Sequence, residues 1–170
     1  MKKLWIWMIP LMMGGCATVE KTTELDYSTA TNSGYVTAIH DIELLVVDDT
    51  PKYIEGRDAA FFNACWFSSQ EKVDIGDYVH VFGGDAELLS YPCRTNAVKI
   101  IFEEKNKNTT LTTKEVVQRA INSIETIAGE SYYSPILTKI HYDKKTDTWR
   151  VRIQNSNSQK PDLIISIGDI

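Results

Sequence analysis

Three histidines, His40, His80 and His141, are the first places to look for proton chemistry. Each lies in an apolar or alternating run that reads as a β-strand. His40 is followed by Asp41, but successive strand residues point to opposite faces, so the two cannot work as an acid–base pair. The carboxylate pairs Asp48/Asp49 and Glu103/Glu104 fall at strand ends, where solvation accounts for them. The chain has no G-x-S-x-G elbow, HExxH pair or EF-hand pattern, and Gly83-Gly84 lacks the lysine and further glycines of a phosphate-cradling loop. No Cys or His spacing suits zinc. The expectation is a protein that is not an enzyme, with no catalytic residue, metal or cofactor.

Among the three cysteines, Cys16 stands apart. It follows Lys2 and Lys3, an apolar run from Leu4 to Met13, and Gly14-Gly15. That is the charged start, apolar middle and small-residue cleavage site of a secretory signal. The run is about ten residues, roughly half of what spans a bilayer as a helix. Met13-Gly14-Gly15-Cys16 resembles the lipobox of bacterial lipoproteins, with Met13 where leucine is usual. The resemblance implies that residues 1–15 are removed and that Cys16 becomes a lipidated, palmitate-bearing N-terminus. Stable anchoring needs more than one acyl chain, and lipoproteins of this class carry three. Ala17 stands where an aspartate would resemble an inner-membrane retention signal. The implied location is the cell envelope, at the outer membrane facing the periplasm.

With Cys16 taken by lipid, Cys65 and Cys93 are left as an even pair in an oxidising compartment. A disulfide is preferred to two buried thiols. It closes a loop of about 29 residues, worth about 3–4 kcal/mol in the chain-entropy account. Loss of Lys2 and Lys3 with the leader takes the net charge from −5 to −7. Such an acidic chain argues against nucleic acid as a partner. The mature length, about 155 residues, suits one domain with a real core.

The expected organisation is a signal peptide over 1–15, the lipidated cysteine and a flexible tether over 16–34, and a single globular domain over 35–170. The tether is polar and rich in threonine and serine. As a coil, its eighteen residues after Cys16 reach roughly 20–25 Å. YVTAIHDIELLVV (35–47) reads as one long strand, DYVHVF (77–82) as another ending at the Gly83-Gly84-Asp85 turn, and AVKIIFEE (97–104) as a third. A second, short helix is expected near 57–67. The long helix, about 113–128, has Thr112 and Glu115 as a capping box and Leu111 with Val116 as a hydrophobic staple. Val117, Ala120, Ile121, Ile124 and Ala128 form its apolar stripe, and Gly129 its left-handed end.

Strands ILTKIHY (136–142) and DTWRVRIQ (147–154), joined by DKKT, form a hairpin, and DLIISIGDI (162–170) supplies a last strand with Leu163, Ile165 and Ile167 on one face. Pairing Tyr142 with Asp147 sets Ile140 against Trp149, Thr138 against Val151 and Ile136 against Ile153. The outward face then carries Lys139 opposite Arg150, His141 opposite Thr148, and Arg152 one step along. A cationic strip on an acidic chain suits an acidic protein partner, the alternative being an ordinary solvated face. Tyr91, Tyr132 and Tyr133 are loop aromatics suited to rim a groove. Phe61, Phe62, Trp66 and Phe67, beside Cys65, are read as core.

The fold class is α+β: an antiparallel sheet of about five to six strands packed against one long amphipathic helix. The helix–hairpin–strand order of the last sixty or so residues resembles small cystatin-like or NTF2-like envelope and immunity proteins. The cystatin QxVxG pattern is absent, so protease inhibition does not carry over. The leading expectation is a membrane-tethered periplasmic module that binds a protein, either an immunity or inhibitor lipoprotein neutralising a toxin or an accessory subunit of an envelope or secretion machine. A small-ligand carrier comes next, favoured by a cavity lined by Trp149 and the helix stripe. A cell-wall hydrolase follows.

Overall fold

A computed structural model describes residues 26–53, 61–84, 90–105, 108–156 and 161–170. The leader, Cys16, most of the tether, Asp85 and the first part of the segment 57–67 lie outside the described residues. What remains is a mixed α+β fold, with a closed five-stranded barrel joined to a helix on a three-stranded sheet.

The barrel uses β1 (Asn32–His40), β2 (Glu43–Asp48), β3 (Ala64–Ser68), β4 (Tyr78–Gly83) and β5 (Cys93–Phe102). Their order around the barrel is β1-β2-β3-β5-β4, with β4 returning to β1. The expected single strand over 35–47 is two strands, because the chain reverses at Asp41-Ile42 with Asp41 at φ 53°. Aspartate tolerates that left-handed conformation, and apolar runs on both sides hide the turn in the pattern. Gly34 pairs with both neighbours of β1, Asp48 of β2 and Val79 of β4, and a Cβ there would clash with the Val47 carbonyl oxygen. The described part of the segment 57–67 is not helical, since Ala64–Ser68 is β3. β5 begins four residues before the expected start at Ala97, which lets one strand pair with β3 through Cys93–Asn96 and with β4 through Ala97–Phe102.

The β3/β5 pairing is parallel, so the sheet is neither wholly antiparallel nor open. Cys65 and Cys93 are directly opposed across this seam and form the disulfide, with 4.4 Å between Cα atoms. The bridge lies with the residues that fill the barrel: Val36, Leu44, Val46, Phe67, Val79, Val81 and Ile100. It therefore ties the closure strand to its neighbour from inside.

The second half is α1 (Thr113–Ala128) lying on β6 (Pro135–Asp143), β7 (Thr148–Asn155) and β8 (Leu163–Gly168). The helix is built as its sequence demands. Thr112 accepts from the Glu115 N–H, the Glu115 carboxylate accepts from the Thr112 N–H, and Gly129 ends the helix at φ 70°. Leu111 and Val116 are buried together, and Val117, Ala120 and Ile124 face Trp149, Val151, Ile153 and Ile165.

The hairpin keeps a four-residue loop, but the loop is Lys144–Asp147 rather than Asp143–Thr146, so Tyr142 opposes Trp149 and Ile140 opposes Val151. Asp147 at φ 51° makes that turn, and it accepts the Tyr142 hydroxyl. A bulge at Thr138 then sets Leu137, rather than the expected Ile136, opposite Ile153. The shift from the expected pairing is two residues between the turn and the bulge, which keeps Lys139, Ile140, His141 and Tyr142 on their expected faces, and one residue beyond it, which gives Leu137 to the helix–sheet core and turns Ile136 to the barrel.

The halves pack against each other through apolar contacts. Tyr35 and Tyr78 on the barrel's outside join the helix–sheet core. Ile136 of β6 covers Ala38, Leu45, Val47, Ala64 and Trp66 on the outer face of β1, β2 and β3. The domain also starts before Tyr35. β1 begins at Asn32, and residues expected to belong to the tether already pack on the barrel, with the Thr31 N–H donating to the Val81 carbonyl at 2.8 Å.

Candidate functional site

Two surfaces gather polar residues, and they differ in whether those residues are already used. The first is the outer face of the three-stranded sheet. Because side chains alternate, β7 sends Trp149, Val151 and Ile153 inward and Arg150 and Arg152 outward. The pairing sets His141 opposite Arg150 and Lys139 opposite Arg152, in place of the expected Arg150–Lys139 and Thr148–His141 pairs. Lys139, His141, Arg150 and Arg152 line one shallow hollow of about 390 Å³, together with Ile164 and Ser166 of β8. Arg152 has one acidic neighbour there, Asp162 at 3.8 Å, and both side chains are partly exposed. Like charges opposed on adjacent strands repel mildly, so the arrangement is not one that stability alone favours.

The expected tyrosines are elsewhere. Tyr91 is exposed and donates its hydroxyl to the Phe62 carbonyl at 2.8 Å. Tyr132 is half-buried against the helix–sheet core. Tyr133 stacks on His40, with ring centroids 4.4 Å apart, beside Trp66. None lines the cationic hollow.

The second surface was missed by reasoning from sequence. On the barrel's outside, β1 and β4 pair Ser33 with His80. The Ser33 hydroxyl lies 2.9 Å from His80 Nδ1, and Glu103, just past β5, places Oε2 2.8 Å from Nε2. A carboxylate only accepts, so Nε2 carries hydrogen, and in the neutral ring Nδ1 accepts from the Ser33 hydroxyl. His80 is 5 % exposed, and the Tyr27 ring lies flat on it at 3.8 Å. The Lys105 ammonium, 2.7 Å from Glu103, holds that carboxyl below its usual range, with His80 adding to the effect.

Nucleophile, base and orienting carboxylate are thus in a row, the order used in covalent catalysis. The surroundings oppose that use. The Ser33 N–H, the nearest donor for an oxyanion, is given to Asp48 Oδ1 at 3.0 Å. Asp48 and Asp49 line the hollow beside the hydroxyl, which is the wrong charge for a developing oxyanion. Asp48 is not a solvated strand-end carboxylate, as expected, but a buried one. Burial pushes its pKa up, against the Ser33 N–H and Lys52. It also accepts from Asn32 at 2.8 Å. No local signal marks this array, because its members are 47 and 23 residues apart in the chain.

A third feature is a hollow of about 400 Å³ where the barrel meets the start of α1, lined by Tyr35, Tyr78, Phe102, Glu103, Lys105 and Lys114 among others. Burial, with Asp49 and Glu103 nearby, pushes the Tyr35 hydroxyl up to about 12. The Lys114 ammonium is 2.7 Å from Asp77 and 3.0 Å from Asp74, and Lys105 lies over the Tyr78 ring at 4.2 Å. Its cations are therefore already paired. Trp149 lines none of these three hollows. It is fully buried, and its indole N–H donates to Asp169 at 3.0 Å.

Among the described residues there is no cluster of three or more His, Cys, Asp or Glu side chains able to hold a metal ion. No protein-family model, curated protein or solved structure matches the chain.

Proposed function

We propose that this chain is a lipoprotein tethered through Cys16 to the outer membrane, and that its periplasmic domain binds an acidic protein partner on the outer face of β6–β8. The partner role is that of an immunity or inhibitor lipoprotein against a toxin, or of an accessory subunit in an envelope or secretion machine. One observation carries the reading: Lys139, His141, Arg150 and Arg152 converge on one face of a chain whose net charge is −5. Surface charges distributed for solubility alone intermingle, whereas a single-sign strip steers a partner of opposite sign. The Cys65–Cys93 disulfide accords with an oxidising compartment. The lipobox-like Met13-Gly14-Gly15-Cys16 supports the tether.

The test is capture of partners by the native, lipidated protein, repeated with Arg150→Glu together with Arg152→Glu. A single stoichiometric toxin separates the immunity role from a multi-subunit complex. The double reversal is expected to weaken capture by several kcal/mol, and increasingly so at low salt. Unchanged capture removes this face from the interface. Cys16→Ser is expected to move the protein out of the membrane fraction, and its retention there overturns the tether.

A second reading, a small-ligand carrier, is favoured by the hollow of about 400 Å³ over Tyr35 and Tyr78, which has the size of a ligand pocket. Its paired lysines make it the weaker reading.

A further inference from the structure

Beside the cationic strip lies an open sheet edge. β8 pairs with β7 from Leu163 to Gly168 in unbroken register and, among the described residues, with no other strand. An edge strand offers a row of free N–H and C=O groups, and proteins usually blunt such edges with lysine, proline, inward charges or a bulge. LIISIG has none of these. Its inner side chains, Leu163, Ile165 and Ile167, are held against the helix–sheet core. Its outer side chains, Ile164 and Ser166, share the hollow with Lys139, His141, Arg150 and Arg152, and Ile164 is 57 % exposed.

We propose that β8 receives an extended acidic segment of the protein partner as a fourth strand of this sheet. The proposal rests on the docking face inferred above and adds the mode of engagement. Strand addition takes its affinity from main-chain hydrogen bonds and its specificity from alternate side chains. A strand added to β8 lies two spacings from β7, roughly 10 Å. Carboxylates on its outer face and the long side chains of Arg150 and Arg152 meet between them, above Ser166 and Ile164. The occupant is an acidic strand rather than a second copy of this chain. Pairing β8 with another β8 would put the cationic side chains of both copies on one continuous sheet face, about 14 Å apart, and give neither strip the carboxylates that an acidic strand supplies.

The probe is a peptide of alternating Glu and Thr, about ten residues long, offered to the full lipidated chain in detergent at low salt. Two further peptides have the same sequence with alternate amides N-methylated, in the two possible frames. They keep the charge but remove the donors of one strand edge. The unmodified peptide is expected to slow amide hydrogen exchange in β8 by about tenfold or more, and one methylated frame to bind at least about tenfold more weakly than the other. Arg150→Glu with Arg152→Glu is expected to abolish binding of all three.

Equal binding of the three peptides with no β8 protection overturns strand addition and leaves the docking face standing. Failure of every peptide to bind also overturns it, while capture of the native partner judges the docking face separately. β8 protection that rises with protein concentration in the absence of peptide gives the edge to a second copy and overturns the acidic occupant.

Discussion

His80 and His141 sit in similar strands, on the outer faces of their sheets, yet their surroundings are opposite. His80 is walled in by Tyr27, Ser33 and Glu103, and the carboxylate it meets is shared with Lys105. His141 is exposed beside Lys139, Arg150 and Arg152, with cations for neighbours. The barrel therefore consumes its polar groups internally, tying strand to strand. On the outer face of the three-stranded sheet the pairing is looser, with Arg152 3.8 Å from Asp162 and both side chains partly exposed. A polar residue whose partners are supplied by the fold contributes to stability, and one without them is free to contribute to recognition.

The sharpest way to break the barrel side is at its parallel seam. Replacing Cys65 and Cys93 by alanine is expected to cost about 3–4 kcal/mol, because the bridge closes a loop of about 29 residues. Denaturant unfolding measures the loss. Amide exchange should localise the earliest opening to β3 and β5 rather than to α1. Equal loss of protection across both halves would show that the seam and the helix–sheet core unfold as one unit.

A smaller effect separates the two histidines directly. His80→Ala leaves a carboxylate and a hydroxyl without their buried partner and uncovers the Tyr27 stack, for about 2 kcal/mol. His141→Ala is expected to stay within about 0.5 kcal/mol. Chemical denaturation of the two variants checks the difference. A comparable cost at both positions would refute the contrast drawn between the faces.

The acid limb of stability tests the junction around Trp149. Burial pushes Asp169 up, but the N–H groups of Leu111 and Thr110 and the Trp149 indole outweigh it and hold the carboxyl below its ordinary 3.8. A folded value below the unfolded one means that this contribution is complete above about pH 4 and disappears as pH falls through the folded value. Asp169→Asn is expected to lower the melting temperature at neutral pH and to flatten its decline below pH 4. A decline as steep as in the parent protein would place the acid sensitivity elsewhere, with Glu103 the next residue to change.

The smallest stability effect is expected where the binding effect is largest. Arg150→Glu with Arg152→Glu should shift unfolding by no more than about 0.5 kcal/mol for each change, even as capture of an acidic partner weakens. A large loss of stability would mean that the strip is structural.

What the chain determined on its own is local. Thr112, Glu115, Leu111, Val116 and Gly129 specify the helix ends because capping depends on residues within one turn of each other. The faces of β7, β8 and the turn half of β6 follow from strict alternation, and they survive the two-residue error in pairing because side-chain direction repeats every two residues, whereas the bulge at Thr138, which alternation does not encode, exchanges the faces of Ile136 and Leu137. The Cys65–Cys93 bridge follows from counting what remains once Cys16 is set aside.

Other features were decided only by tertiary structure. Asp41 and Ile42 turn between two apolar runs, where both flanking strands are largely buried and no glycine marks the reversal. Barrel closure needs β3 and β5 to pair in parallel across intervening β4, a contact between distant segments that periodicity does not encode. The Ser33–His80–Glu103 row exists only because that closure brings β1, β4 and the end of β5 side by side. The same long-range pairing set Ile136 over the outer face of β2 and β3 and left β8, among the described residues, paired with β7 alone. Local chemistry chooses an element and its faces, while the neighbours those faces receive depend on how the whole chain closes.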